Sequence, residues 1–152
     1  MHPFDLRAAL LAKHAQHVVL IHFPIALFIA GVAFDFLAQS TKRRALAEVA
    51  YYNLLAAAVT VLPVLATGLL AWQFQLEGQK LKGILLLHLV LGCSSMALIW
   101  IAWVLHACSR RIGRELQRTL PIFRLGLETV TVFIVGLTGH LGGFLSGVNG
   151  PS

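Results

Sequence analysis

The chain has 152 residues, of which 58% are hydrophobic and only 12% charged, and its mean hydropathy is +0.80. A soluble domain is usually about a quarter charged, so this composition excludes a water-coated globular fold and points to one transmembrane domain over residues 1–152. The net charge of +6 does not indicate nucleic-acid binding, because the basic residues lie in short segments between apolar runs.

The first segment, residues 1–17, lacks the basic, apolar, small-residue order of a cleaved signal peptide. Residues 3–16 read as a surface amphipathic helix with Phe4, Leu6, Leu10 and Leu11 toward lipid. Four apolar runs follow, at 18–38, 51–72, 84–107 and 123–145. Each is long enough to span, since a crossing needs roughly 20 residues. Short polar connections between them predict an all-α, up-down four-helix bundle. Pro24 frees the carbonyl of Leu20 near a helix start, and Pro63 is expected to kink the second span. Cys93 and Cys108 form no CxxC pair and no metal-type spacing.

Lysine and arginine set the expected orientation. Lys42, Arg43, Arg44, Arg110, Arg111, Arg114, Arg118 and Arg124 lie on one side, against Arg7, Lys13, Lys80 and Lys82 on the other. Eight against four places the first group in the cytoplasm and both termini outside, in the periplasm, for a multi-pass protein of the bacterial inner membrane. Tyr51 and Tyr52 then fall at the inner interface and Trp72 at the outer one.

Polar residues inside the spans mark candidate sites. His22, His88 and His140 lie four or five residues inside the outer ends of spans one, three and four, roughly 6–8 Å below one face at 1.5 Å per residue. His17 sits just above that layer. Neutral imidazole ligates haem iron, copper or zinc. Gly92 is one turn deeper than His88 on the same face, and Gly136 one turn deeper than His140, leaving room for a flat porphyrin. His88 with His140 is the preferred axial pair, with His22 as alternative ligand or neighbour. Copper or zinc held by His22, His88 and His140, with His17 as fourth ligand, is the other metal reading. At the opposite end, His106 has no histidine at its level. Asp35 is expected to pair with Lys42–Arg44, and Glu128 with Arg124 one turn before it; a proton path through them is the sharper alternative.

His17 followed by IHFPIAL, then Gly31, Asp35, Gly68 in ATGLLAW, His88, and GHLGG at 139–143 resemble a bacterial family of predicted four-helix membrane proteins that carry a domain of unknown function. The resemblance runs from about residue 17 to 147, with the His-Phe-Pro-Ile-Ala-Leu stretch its most specific part. Val18 stands where that family commonly has proline, and FLSGVNG replaces its acidic and tyrosine residues after the Gly-Gly pair. The family is distantly similar to small b-type cytochromes such as hydrogenase membrane subunits. That similarity implies haem b and quinone-linked electron transfer to a periplasmic carrier such as a cytochrome, alongside other membrane redox subunits. A non-catalytic accessory subunit of a respiratory or photosynthetic complex is the alternative.

Overall fold

The computed structural model describes residues 13–74, 78, 80–110 and 120–146. It contains α1 (Lys13–Leu20), α2 (His22–Thr41), α3 (Arg44–Phe74), α4 (Gly83–Ser109) and α5 (Leu120–Leu145). Four helical segments are long and apolar enough to cross a membrane: Gln16–Thr41, Arg44–Phe74, Gly83–Ser109 and Ile122–Leu145. Most of the amphipathic segment expected over 3–16 lies outside the described residues, as do Arg111, Arg114 and Arg118.

α1 and α2 are nearly one helix. The N–H of Ile21 reaches the carbonyl of His17 at 3.1 Å, and the N–H of Ile25 that of Ile21 at 3.4 Å. The single-residue break at Ile21 precedes Pro24, which has no N–H to give the carbonyl of Leu20. α2 ends where Lys42 turns left-handed at φ 57°. α3 runs as one helix through Pro63, and Thr67 Oγ1 donates to the Pro63 carbonyl at 2.9 Å. α4 starts after extended Lys82, at Gly83 with φ 56°, a conformation that favours glycine.

Each long helix packs on its chain neighbour, and α5 closes the ring on α2; α1 lies against α3 and α2. Phe28, Val32, Leu54, Ala57, Ala58, Val61, Ile99, Ala102 and Val135 form the core. The helices approach closely where side chains are small. A Cβ on Gly31 would come within 2.9 Å of Leu54 Cγ, which is how α2 seats against α3. The outward faces carry exposed Phe23, Ile29, Phe36, Val59, Leu70, Val90, Ile122 and Phe133, the surface that lipid solvates. At the end carrying Lys42–Arg44, called the basic end below, Arg110 grips Glu48 at 2.6 and 2.7 Å and lies 4.3 Å over the Tyr51 ring. This pins the end of α4 to the start of α3, although an exposed pair contributes only about 0–1 kcal/mol.

Candidate functional site

Among the described residues, the buried ionisable groups form one cluster near the basic end. Asp35 and Glu128 are 0% exposed, His106 5% and Arg124 8%. α2 supplies Asp35, α4 His106, and α5 both Arg124 and Glu128. Asp35 lies six residues before the end of its span and Glu128 six after the start of its own, about 9 Å in at 1.5 Å per residue. A helical repeat of 3.6 sets Arg124 and Glu128 on one face of α5, and the closure of α5 on α2 brings Asp35 to them.

The geometry is that of two linked pairs. Arg124 clamps Asp35 with both prongs, Nε to Oδ2 at 2.9 Å and Nη2 to Oδ1 at 2.7 Å. His106 Nε2 lies 2.7 Å from Glu128 Oε1 and 3.4 Å from Asp35 Oδ2. Arg124 Nε is 3.8 Å from Glu128 Oε1, which joins the pairs. Glu128 Oε2 is buried and has no hydrogen-bond partner. In hydrocarbon-like surroundings each of these groups would be expensive alone.

Asp35 was expected to pair with Lys42–Arg44. It pairs with Arg124 instead, because Lys42 is seven residues along, beyond the end of α2, where exposed side chains reach water. Glu128 does approach Arg124, but its short contact is with His106. His106 has carboxylate neighbours where a search for histidine partners finds none.

The donor set bears on metal binding. One atom from each of Asp35, His106 and Glu128 lies within 4.8 Å of the others. Arg124, however, already occupies both Asp35 oxygens, and a dication would sit against its guanidinium. The fixed charges of Asp35, Glu128 and Arg124 add to −1, which one proton neutralises and a dication overshoots.

Among the described residues, the histidines at the other end form no group of three with ring nitrogens within 4.8 Å of one another. His17 Nδ1 is 3.1 Å from Thr67 Oγ1, and a Cβ on Gly68 would meet His17 Cε1 at 2.9 Å. His88 Nδ1 is 3.1 Å from the Thr138 carbonyl, and a Cβ on Gly142 would meet its Cε1 at 3.1 Å. Two glycines thus make room for two imidazoles across helix contacts. Gly142→Leu is therefore expected to displace His88 and lower stability by about 1–3 kcal/mol, read as a shift in thermal unfolding of the detergent-solubilised protein.

His140 follows Thr138 by two residues, about 200° round the helix, so it leaves the α4–α5 contact that His88 enters. It is exposed, edge-on to Phe144 at 5.0 Å. Gly136 shares that exposed side, with nothing within 4 Å of an added Cβ, whereas Gly92 faces Thr138 Cγ2 at 3.9 Å. His22 is exposed, its Nδ1 2.7 Å from the Val18 carbonyl. α2 and α5 touch where Ile25 meets Gly139, three residues after His22 and one before His140.

A family model described as "Predicted membrane protein (DUF2231)" matches residues 13–150. No curated protein and no solved structure matches the chain. The chain belongs to that family of predicted membrane proteins, and four of its helices are long and apolar enough to cross a membrane.

Proposed function

We propose that this protein is a membrane subunit that binds and releases one proton at the Asp35–His106–Arg124–Glu128 centre, as the proton-handling element of a larger membrane assembly. The observation that carries this reading is the fully buried Glu128, 2.7 Å from His106 and beside an Asp35 already committed to Arg124. Ionisable groups within a span cost several kcal/mol unless paired, and such groups are functional candidates by default. Here the pairing is one positive charge short. A hydrogen on Glu128 Oε2 completes it: His106 Nε2–H donates to Oε1, and the second oxygen is the acid. The centre is then neutral, and giving up the proton leaves a single negative charge in a buried site. At neutral pH such a centre gives up its proton more readily when another charge or a change in hydration compensates, which is the behaviour required of a coupled carrier, and alkaline pH drives the same release.

The test is a proton count. Purified protein in weakly buffered detergent is stepped to alkaline pH with a pH dye present. The wild-type chain is expected to release one proton more than Glu128→Gln. Equal release by the two proteins would reject the proton reading; metal bound in stoichiometric amount and lost in the same variant would replace it by a cation site.

A second reading is haem b for electron transfer between quinol and a periplasmic carrier. It is favoured by His22 and His140, both exposed and bracketing the Ile25–Gly139 contact, with open space at Gly136. In this reading the ring lies on the α2–α5 surface and a partner redox subunit covers it; a His88–His140 axial pair keeps the bond from His88 Nδ1 to the Thr138 carbonyl, which leaves Nε2 as ligand, but requires His140 to turn from its exposed position beside Phe144. Protein expressed with ample haem is expected to show sharp reduced-state bands that His140→Ala removes and His106→Ala leaves. Colourless, correctly inserted protein would dismiss it, and copper or zinc in that protein would favour the His22, His88, His140 metal site.

A further inference from the structure

Among the described residues, two buried side-chain atoms have no hydrogen-bond partner: Trp103 Nε1 and Glu128 Oε2. They belong to the two helices that His106 and Glu128 join. Trp103 precedes His106 by three residues on α4, about 4.5 Å farther from the basic end. Side chains on a helix lean toward its N-terminus, which on α4 is also away from the basic end. Thr131 follows Glu128 by three residues on α5 and is fully buried. Its hydroxyl hydrogen goes to the Leu127 carbonyl at 2.7 Å, so toward any further group it can only accept. The set therefore offers an indole donor, an acid oxygen and a hydroxyl acceptor, one turn beyond the His106–Glu128 contact.

We propose that a single structural water is bound between α4 and α5 and joins these three groups. It accepts from Trp103 Nε1–H and from the Glu128 acid, and donates to Thr131 Oγ1. Three bonds are the usual number for a buried water. Two hydrogen bonds of about 2.8–2.9 Å let one water link polar atoms roughly 4.5–5 Å apart. Buried polar atoms in native proteins are rarely left unpaired, so a site that orphans both a donor and an acid oxygen calls for a ligand with both capacities. Water has them; a metal cation offers nothing to an indole N–H. This inference rests on the proton reading of Glu128, and it assigns the group that holds the acid hydrogen on the side away from Arg124.

The experiment is infrared spectroscopy of the full-length protein in H₂¹⁶O and H₂¹⁸O. An isotope-shifted band from an ordered water is expected in the wild type and should vanish in Trp103→Phe. The same variant should shift the acid C=O band of Glu128, as one hydrogen-bond partner departs. Thr131→Val, nearly isosteric, should give a smaller shift of that band, and keeps the test decisive if Trp103→Phe fails to fold. The indole N–H signature of Trp103 in ultraviolet Raman spectra should change in Glu128→Leu. An acid band present in the wild type but unmoved in both Trp103→Phe and Thr131→Val would overturn the water and leave the proton site standing. Absence of any Glu128 acid band in the wild type would overturn both.

Discussion

Asp35→Ala is expected to destabilise the folded protein by about 3–5 kcal/mol, the range for stripping one partner from a buried ion pair. The cause is what stays behind. Arg124 is 8% exposed and directs two donors at Asp35, at 2.9 and 2.7 Å. With the carboxylate gone, a guanidinium remains in the bundle with only Glu128 Oε1, 3.8 Å away, to turn to. That fallback places the expected cost toward the lower end. The double variant Asp35→Ala, Arg124→Leu separates charge from contact. If an orphaned charge dominates, the double variant loses less stability than Asp35→Ala alone, because apolar replacement of a whole buried pair is often neutral or favourable. If packing dominates, the two costs add. Denaturant unfolding of the detergent-solubilised protein, followed by helical circular dichroism, distinguishes the two outcomes.

Charge balance at the centre predicts how many protons it holds in each variant. The wild-type sum of −1 binds one. Glu128→Gln brings the sum of Asp35 and Arg124 to zero, and the proton is lost. Arg124→Gln brings it to −2, and a second proton is expected, shared among Asp35, His106 and Glu128. Asp35→Asn again gives zero, and Arg124 then pairs with an ionised Glu128. The dye-based count at alkaline pH should therefore run one, none, two and none through this series. A count that stays at one in Arg124→Gln would mean that the arginine does not set the charge of the site. These are large effects because the site is buried: away from bulk water an unbalanced unit charge costs several kcal/mol, so a proton follows each charge removed.

The fold was legible because its signal is local. Apolar runs of about 20 residues mark spans regardless of neighbours, and the structure has four such helices. Depth is equally local, since a residue's distance from a span end follows from counting. Direction around a helix is not. His88 and His140 share a level, but the first turns into the α4–α5 contact over Gly142 and the second turns out beside Phe144. What sets those directions is which faces the helices bury against each other, and the four hydrophobic stripes are too evenly apolar to declare that in advance. The pairings within the acid–base centre were hidden for a related reason. Asp35 and Arg124 are 89 residues apart and meet only because the fourth span packs beside the first. Yet a usable signal was present: Asp35, His106, Arg124 and Glu128 all lie within about two turns of one membrane end. Depth alone groups them at that end and admits a proton path; which of them touch, Asp35 with Arg124 and Glu128 with His106, depends on the packing.

The packing pairs extend the same lesson. Gly68 and Gly142 stand in motifs that the sequence shows plainly, but a glycine's role emerges only with the ring it admits, His17 in one case and His88 in the other. In a bilayer there is little hydrophobic drive between helices, so such close fits carry much of the association.

The most direct measurement of the central claim is the infrared carboxyl C=O band of the full-length protein at neutral pH, compared between wild type, Asp35→Asn and Glu128→Gln. One buried acid band is expected in the wild type, absent from Glu128→Gln and absent from Asp35→Asn, where Arg124 balances Glu128. A wild-type spectrum with no buried acid band, or a band that persists unchanged in Glu128→Gln, would contradict that claim.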